Sequence, residues 1–219
     1  MNEIHTVVVI VGGGPVVVPP RLYVAQSLVI AADSGVDAAL AAGLTPSLVV
    51  GDLDSISEQG LAWAHANDVA IEQHPPAKDD TDTALALAIA AAEPGRHLIL
   101  LAPAGTVRLD HLLGTLAALG DARLAVCASV TAWVGDTVVH VLHPGSAVSL
   151  HLVVGTTFSL HALHGPCRGV ALSGAQWPLD DAELASASTR GISNVTTSSP
   201  VHASVRTGVL TLIIPKDAT

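Results

Sequence analysis

The sequence predicts two architectures in series: a parallel α/β sheet with helices on both faces, followed by a small antiparallel β-sandwich. Three observations lead there. As far as about residue 135, short β-branched runs alternate with Ala- and Leu-rich segments of helical length, which is the pattern of a parallel sheet. From about residue 136 the helical segments stop, and short strands follow, separated by Gly, Pro and Ser. The chain has 219 residues, 50% of them hydrophobic and few aromatic, enough to bury one large core or two small ones. The expected domains are therefore 1–135 and 136–219, with the boundary inside 134–146.

Thr6–Val11 reads as the first strand, closed by Gly12-Gly13-Gly14-Pro15. That glycine loop matches neither G-x-G-x-x-G nor a P-loop, so a plain loop is the simpler reading. Leu28–Ala32 is the next strand, Asp33-Ser34-Gly35 a turn, and Val36–Ala42 a helix stopped by Gly43. In this plan Asp33 stands where a strand's carboxyl end meets a helix start.

Leu48–Val50 repeats the plan: a buried strand, then Gly51, then Asp52 and Asp54 at alternate positions, then a helix to about Asn67. If the chain stays extended there, Asp52 and Asp54 point the same way. Two negative charges about 4 Å apart repel by roughly 4 kcal/mol at an effective dielectric of about 20. A divalent cation relieves that repulsion, and hard oxygen donors suit Mg²⁺. The alternative is a polar turn in which Asp54 or Ser55 caps the following helix.

Val69–Glu72 is a further strand, and Pro75-Pro76 breaks the chain. Lys78-Asp79-Asp80-Thr81-Asp82 then precedes a helix over Thr83–Glu93, with Asp82 in the first turn, where the helix dipole favours a carboxylate. His97–Ala102 is a strand, and Arg108-Leu109-Asp110-His111 leads into a helix ending near Gly120. Arg123–Ala128 reads as the next strand. In the second half, strands are expected at 138–142, 147–153, 157–163, 169–172, 201–205 and 209–214, with Asp180–Ala187 the only helix candidate. Trp63 and Trp133 read as core. The histidines are scattered, and His161 and His164 lack a third ligand at a metal-binding spacing.

The net charge of −10 argues against nucleic acid and anionic membranes as partners. Between Asp33 and Asp82 ten acidic residues face a single Lys or Arg, Lys78, so a polyphosphate would have to bind there through metal. No apolar run reaches the roughly 18–20 residues of a membrane span. The first apolar run has no Lys or Arg before it, and the two cysteines match no metal or redox spacing, which together suggest a cytoplasmic protein.

Taken together, Ala32-Asp33-Ser34-Gly35, Gly51-Asp52-Leu53-Asp54-Ser55, Lys78-Asp79-Asp80-Thr81-Asp82, Arg108-Leu109-Asp110-His111, Ser159-Leu160, Trp177-Pro178-Leu179 and Ser193-Asn194 resemble the thiamine pyrophosphokinase family in order and spacing. The resemblance runs from about residue 28 to the end. It implies a Rossmann-like α/β domain and a thiamine-binding β-sandwich, in a homodimer with active sites between subunits. It also implies Mg²⁺-dependent transfer of a pyrophosphoryl group from ATP to the hydroxyl of thiamine, releasing AMP. By that similarity Asp52, Asp54 and Asp82 hold the metal and Asp33 shapes the same catalytic cleft. Arg108, Asp110 and His111 lie near ATP, and Trp177, Ser193 and Asn194 meet thiamine; Lys78, the one base of the acidic stretch, is placed to reach a phosphate of ATP.

The chain departs from the family at Thr106 and Val107, where Gly-Gly is usual, and at Thr115, where Asn is common. These departures motivate one alternative, a non-catalytic thiamine- or nucleotide-binding homologue. The D-x-D after a strand motivates another, a Mg-dependent phosphatase of the haloacid dehalogenase type, with Gly135-Asp136 echoing a later motif of that family.

Overall fold

The computed structural model describes residues 6–20, 22, 27–103, 108–186 and 188–216. The chain divides into two compact units, one of Met1–Leu119 with Val126–Asp136 and one of Gly120–Ala125 with Thr137–Thr219.

In the first unit, strands β1 (Thr6–Val11), β2 (Ser27–Ala32), β3 (Leu48–Gly51), β4 (Ala70–Gln73), β5 (His97–Ala102) and β6 (Ser129–Val134) pair in parallel, in the order β6-β5-β1-β2-β3-β4. Helices α1 (Gly35–Ala41), α2 (Glu58–Ala66), α3 (Asp82–Ala90) and α4 (Leu109–Ala118) alternate with them. Side chains alternate along each strand, and the packing follows. Val8, Ile10 and Leu101 form one cluster with Ala38 and Ala39 of α1, while Ala31 and Val49 join Val36 of α1 and Ala64 of α2 in another. The intervening Val7, Val9, Val11 and Ile30 are equally buried, and α3 packs on β1, β2 and β3. Both faces of the sheet are covered, which is why its strands read as unbroken apolar runs. Trp63 and Trp133 are partly buried against these clusters.

Strand order reverses at β1, because β2 lies on one side of it and β5 on the other. A crevice opens beyond the carboxyl ends of the strands at such a point.

One segment differs from the expectation. Ala122–Val126 is a 3-10 helix, and the strand expected over Arg123–Ala128 is instead β6, Ser129–Val134. The Asp121 carboxylate accepts from the Arg123 backbone N–H at 2.8 Å and pairs with its guanidinium, which turns the chain. Buried Leu124 supplies the apolar signal that mimics a strand.

The second unit holds two antiparallel sheets. One contains β7 (Thr137–Leu142), β9 (Thr157–His161), β12 (Asn194–Val195) and β14 (Leu210–Ile214), and the other contains β8 (Ala147–Leu150), β10 (Cys167–Ser173), β11 (Leu179–Leu184) and β13 (Val201–Ser204). Phe158, Leu160, Leu210 and Leu212 from the first sheet and Val170, Leu172, Val201 and Ala203 from the second form one core, so the sheets are a sandwich.

Part of the helix expected over Asp180–Ala187 is the edge strand β11, which pairs antiparallel with β10. Its Ala182 and Leu184 face inward while Asp180, Asp181 and Glu183 face water, and charge on an edge strand deters pairing with other chains. Ala187 lies outside the described residues. No helix among the described residues is long and apolar enough to cross a membrane.

Candidate functional site

The carboxyl ends of β1, β2 and β5 open onto a cavity of about 500 Å³. Its lining includes Gly12, Asp33, Ser34, Lys78, Asp82, Asp110, His111 and Thr115.

Asp33 follows β2 directly, and its backbone N–H donates to the Val50 carbonyl at 2.9 Å. It adopts φ 47°, a left-handed conformation that Asp tolerates better than most residues. Helix α1 starts at once because residue 35 is glycine: a Cβ there would lie 2.2 Å from the Ile10 carbonyl oxygen. Asp33 is 8% exposed; its Oδ2 accepts from the Ser55 hydroxyl, and its buried Oδ1 has no hydrogen-bond partner. Burial pushes this carboxyl above the ordinary carboxylate range. The Ser55 hydrogen bond opposes that shift, while the charges of Asp82, Asp54 and Asp52 add to it.

Asp54 is not part of the group that Asp52 forms with Asp33 and Asp82. Strand β3 ends at Gly51 and Leu53 adopts φ 69°, so the alternation of an extended chain is broken. The Asp54 backbone N–H instead donates to Asp52 Oδ1 at 3.3 Å, and the Asp54 side chain faces solvent. Asp82 opens α3, where Thr81 caps the helix by accepting from the Ala84 N–H.

Asp33, Asp52 and Asp82 each offer a carboxylate oxygen within 4.8 Å of the others. Gly51 makes room for them. A Cβ on it would stand 3.1 Å from Asp82 Cγ and 3.2 Å from Asp33 Cβ, at a φ of 151° that favours glycine. The donors are all hard oxygens; Asp33 Oδ1 is buried without a partner, and Asp82 Oδ1 is buried with only the Lys78 ammonium beside it, which suits a hard divalent cation.

Lys78 reaches into this group. Its Nζ lies 3.0 Å from Asp52 Oδ2 and 3.0 Å from Asp82 Oδ1. Burial alone would lower the pKa of this ammonium, but the carboxylates of Asp82 and Asp52 beside it outweigh that and raise it. The Lys78 hydrogen bond in turn holds Asp52 below the ordinary carboxylate range.

Asp110 and His111 line the cavity at the start of α4. Arg108, the N-cap position of that helix, is exposed and pairs with Asp110 at 2.5 Å. Thr115 is buried at the cavity wall, and Thr106 and Val107 lie outside the described residues.

In the second unit, Trp177 is 54% exposed and Asn194 is buried. The Asn194 amide is spent on backbone: Oδ1 accepts from Trp177 N–H at 3.1 Å and Val195 N–H at 2.9 Å, and Nδ2 donates to the Trp177 carbonyl at 2.9 Å. Ser193, at φ 57°, donates its N–H to Ser159 Oγ.

Three parts of this arrangement have no sequence signal read above: the Ser55 bond to Asp33, the space left by Gly51, and the bridging position of Lys78. Each depends on segments brought together by the sheet. The adjacency of Gly51 and Ser55 to the paired aspartates is the one local hint.

No curated protein is similar enough in sequence to this chain to count as a match. Family models do match. The one described as "Thiamin pyrophosphokinase, catalytic domain" covers residues 20–128, and "Thiamin pyrophosphokinase, vitamin B1 binding domain" covers 140–210. The chain belongs to the thiamin pyrophosphokinase family.

Solved structures agree on the fold. A thiamine pyrophosphokinase from Bacillus subtilis superposes with a TM-score of 0.76 at 24% identity, over 97% of this chain and 100% of that one. A thiamin pyrophosphokinase from Geobacillus thermodenitrificans gives 0.74 at 25% identity, over 98% and 99%. The yeast thiamin pyrophosphokinase gives 0.71 at 13%, over 99% and 89%. Thiamin pyrophosphokinase membership makes thiamine pyrophosphorylation the activity of this chain, with ATP and thiamine as the substrates that the family implies. Neither the phosphatase reading nor the non-catalytic reading gains support from these matches.

Proposed function

We propose that this chain carries the pyrophosphoryl group of ATP to the hydroxyl of thiamine, releasing AMP and thiamine diphosphate, at a site where Asp33, Asp52 and Asp82 hold Mg²⁺. The observation that supports this most is the convergence of the three carboxylates beyond the strand ends, with a buried, unpartnered oxygen of Asp33 among them. Phosphoryl-type transfer depends mainly on positioning and charge neutralisation. Bound there, the cation would offset negative charge on the phosphate oxygens.

The chain's own residues supply the rest. Asp110 and His111, on the cavity wall, face the nucleotide, with Arg108 close by on the same helix start. A carboxylate within reach of the thiamine hydroxyl takes its proton late in the step. Asp54 acts through its charge from the neighbouring turn. Thiamine is a cation with aromatic rings, and the exposed Trp177 indole offers it stacking and cation–π attraction of about 1–2 kcal/mol. Asn194 fixes the backbone that carries Trp177, and Ser193 borders the same turn. The working form is a cytoplasmic homodimer in which the Trp177 surface of one copy completes the cavity of the other.

Incubation with ATP, Mg²⁺ and thiamine, following AMP and thiamine diphosphate, tests this. AMP formed in step with thiamine diphosphate, and only when thiamine is present, is the expected result. Binding without turnover, or phosphate release from small esters without thiamine, overturns it.

A further inference from the structure

We infer that Lys78 is an internal counter-ion that holds the metal-free acidic cluster together and must leave it before a divalent cation binds, so that the cation enters with the polyphosphate rather than ahead of it. This rests on the proposed Mg²⁺ and ATP site.

The geometry is specific. A single ammonium sits 3.0 Å from two carboxylates contributed by different elements, Asp52 after β3 and Asp82 at the start of α3. The Lys78 side chain is only 14% exposed, and those of Asp52 and Asp82 are 11% and 23% exposed. This is not a solvated surface pair. Asp33 Oδ1, the third donor of the group, stays unpartnered and buried, so the ammonium neutralises two members and leaves one. Lys78 is the only Lys or Arg between Asp33 and Asp82, so nothing else on that stretch can do this.

Lys78 Nζ and a cation bridging the same carboxylates would compete for the same oxygens, and two like charges side by side repel. One must move. Lys78 is built to do so: it stands on the turn before α3, its backbone N–H held to the Pro76 carbonyl, and its head is a compact charge on a flexible stem. Lys78 also lines the cavity in which the nucleotide is proposed to lie. Phosphate oxygens arriving there give the ammonium new charged acceptors, so leaving the carboxylates no longer strands it. Metal alone brings no such acceptor.

Calorimetric titration of Mg²⁺ into wild type and Lys78→Met, without nucleotide and then with a non-hydrolysable ATP analogue, tests the inference. Without nucleotide, Lys78→Met binds Mg²⁺ about tenfold or more tighter than wild type; with the analogue that advantage vanishes or reverses. Equal or weaker Mg²⁺ binding by Lys78→Met without nucleotide overturns the inference. Wild type that binds Mg²⁺ neither alone nor with the analogue refutes the magnesium site itself, a separate failure. Should Lys78→Met and Lys78→Gln both fail to fold without metal, folding restored by Mg²⁺ supports the counter-ion role and failure to restore it refutes it.

Discussion

Replacing Gly51 by alanine tests whether the aspartates form one site or only lie near each other. The added Cβ would stand 3.1 Å from Asp82 Cγ, 3.2 Å from Asp82 Oδ1 and 3.2 Å from Asp33 Cβ, so both side chains must give by a few tenths of an ångström. The backbone at φ 151° is also unfavourable for any side chain, a strain of about 1–3 kcal/mol. At about 2–4 °C per kcal/mol for a chain of this size, the melting temperature should fall by roughly 2–12 °C. Catalysis should suffer more, because small misplacements of groups that position a reaction cost up to about 100-fold in rate. Thermal unfolding gives the first quantity, and AMP release with ATP, Mg²⁺ and thiamine gives the second. A Gly51→Ala protein with wild-type turnover and wild-type Mg²⁺ dependence would refute the convergence of Asp33 and Asp82 on one functional centre.

Asp33→Asn should lose at least about 100-fold in turnover yet melt higher than wild type near neutral pH. The sign follows from burial: the folded state holds the Asp33 proton more tightly than the unfolded chain, so its contribution is fully present below the unfolded carboxylate value and is lost as pH rises through the folded one. The stability gain of the variant should therefore grow over that interval, as melting curves across pH would read. Asp82→Asn should cost at least about 100-fold in turnover, whereas Asp54→Asn, altering an exposed side chain outside the three-carboxylate group, should cost about tenfold or less in the same assay. Trp177→Ala should raise the KM for thiamine by about tenfold with little change in kcat or melting temperature. Asn194→Ala should destabilise by about 1–3 kcal/mol in denaturant unfolding, because it strands backbone groups of Trp177 and Val195.

Much of the first unit could be read from residue order alone. Runs such as Thr6–Val11 and residues 98–102 are β-branched or aliphatic throughout because both faces of the parallel sheet are covered, and few other structures demand that composition. Such sheets place ligands beyond the strands' carboxyl ends, so Asp33 and Asp52 were visible as neighbours before any coordinates. Local signals failed where a side chain overrode the pattern. Asp121 turned an apolar stretch into a 3-10 helix, and consecutive acids on β11 imitated a helix start although they face water from a sheet edge. The left-handed Leu53 interrupts the extended backbone from which the alternation of Asp52 and Asp54 was read. The Lys78 bridge and the Ser55 bond to Asp33 span 26 and 22 residues respectively, and separations of that kind leave no periodicity to read.

The proposed chemistry needs a divalent cation held jointly by Asp33, Asp52 and Asp82. Co-crystallisation with Mn²⁺ and a non-hydrolysable ATP analogue, followed by anomalous scattering at the manganese edge, locates that cation directly. A peak is expected about 2–2.3 Å from carboxylate oxygens of these three residues, with Lys78 Nζ moved off Asp52 and Asp82 onto phosphate. A cation bound elsewhere, with Lys78 still between Asp52 and Asp82, would contradict the proposed chemistry.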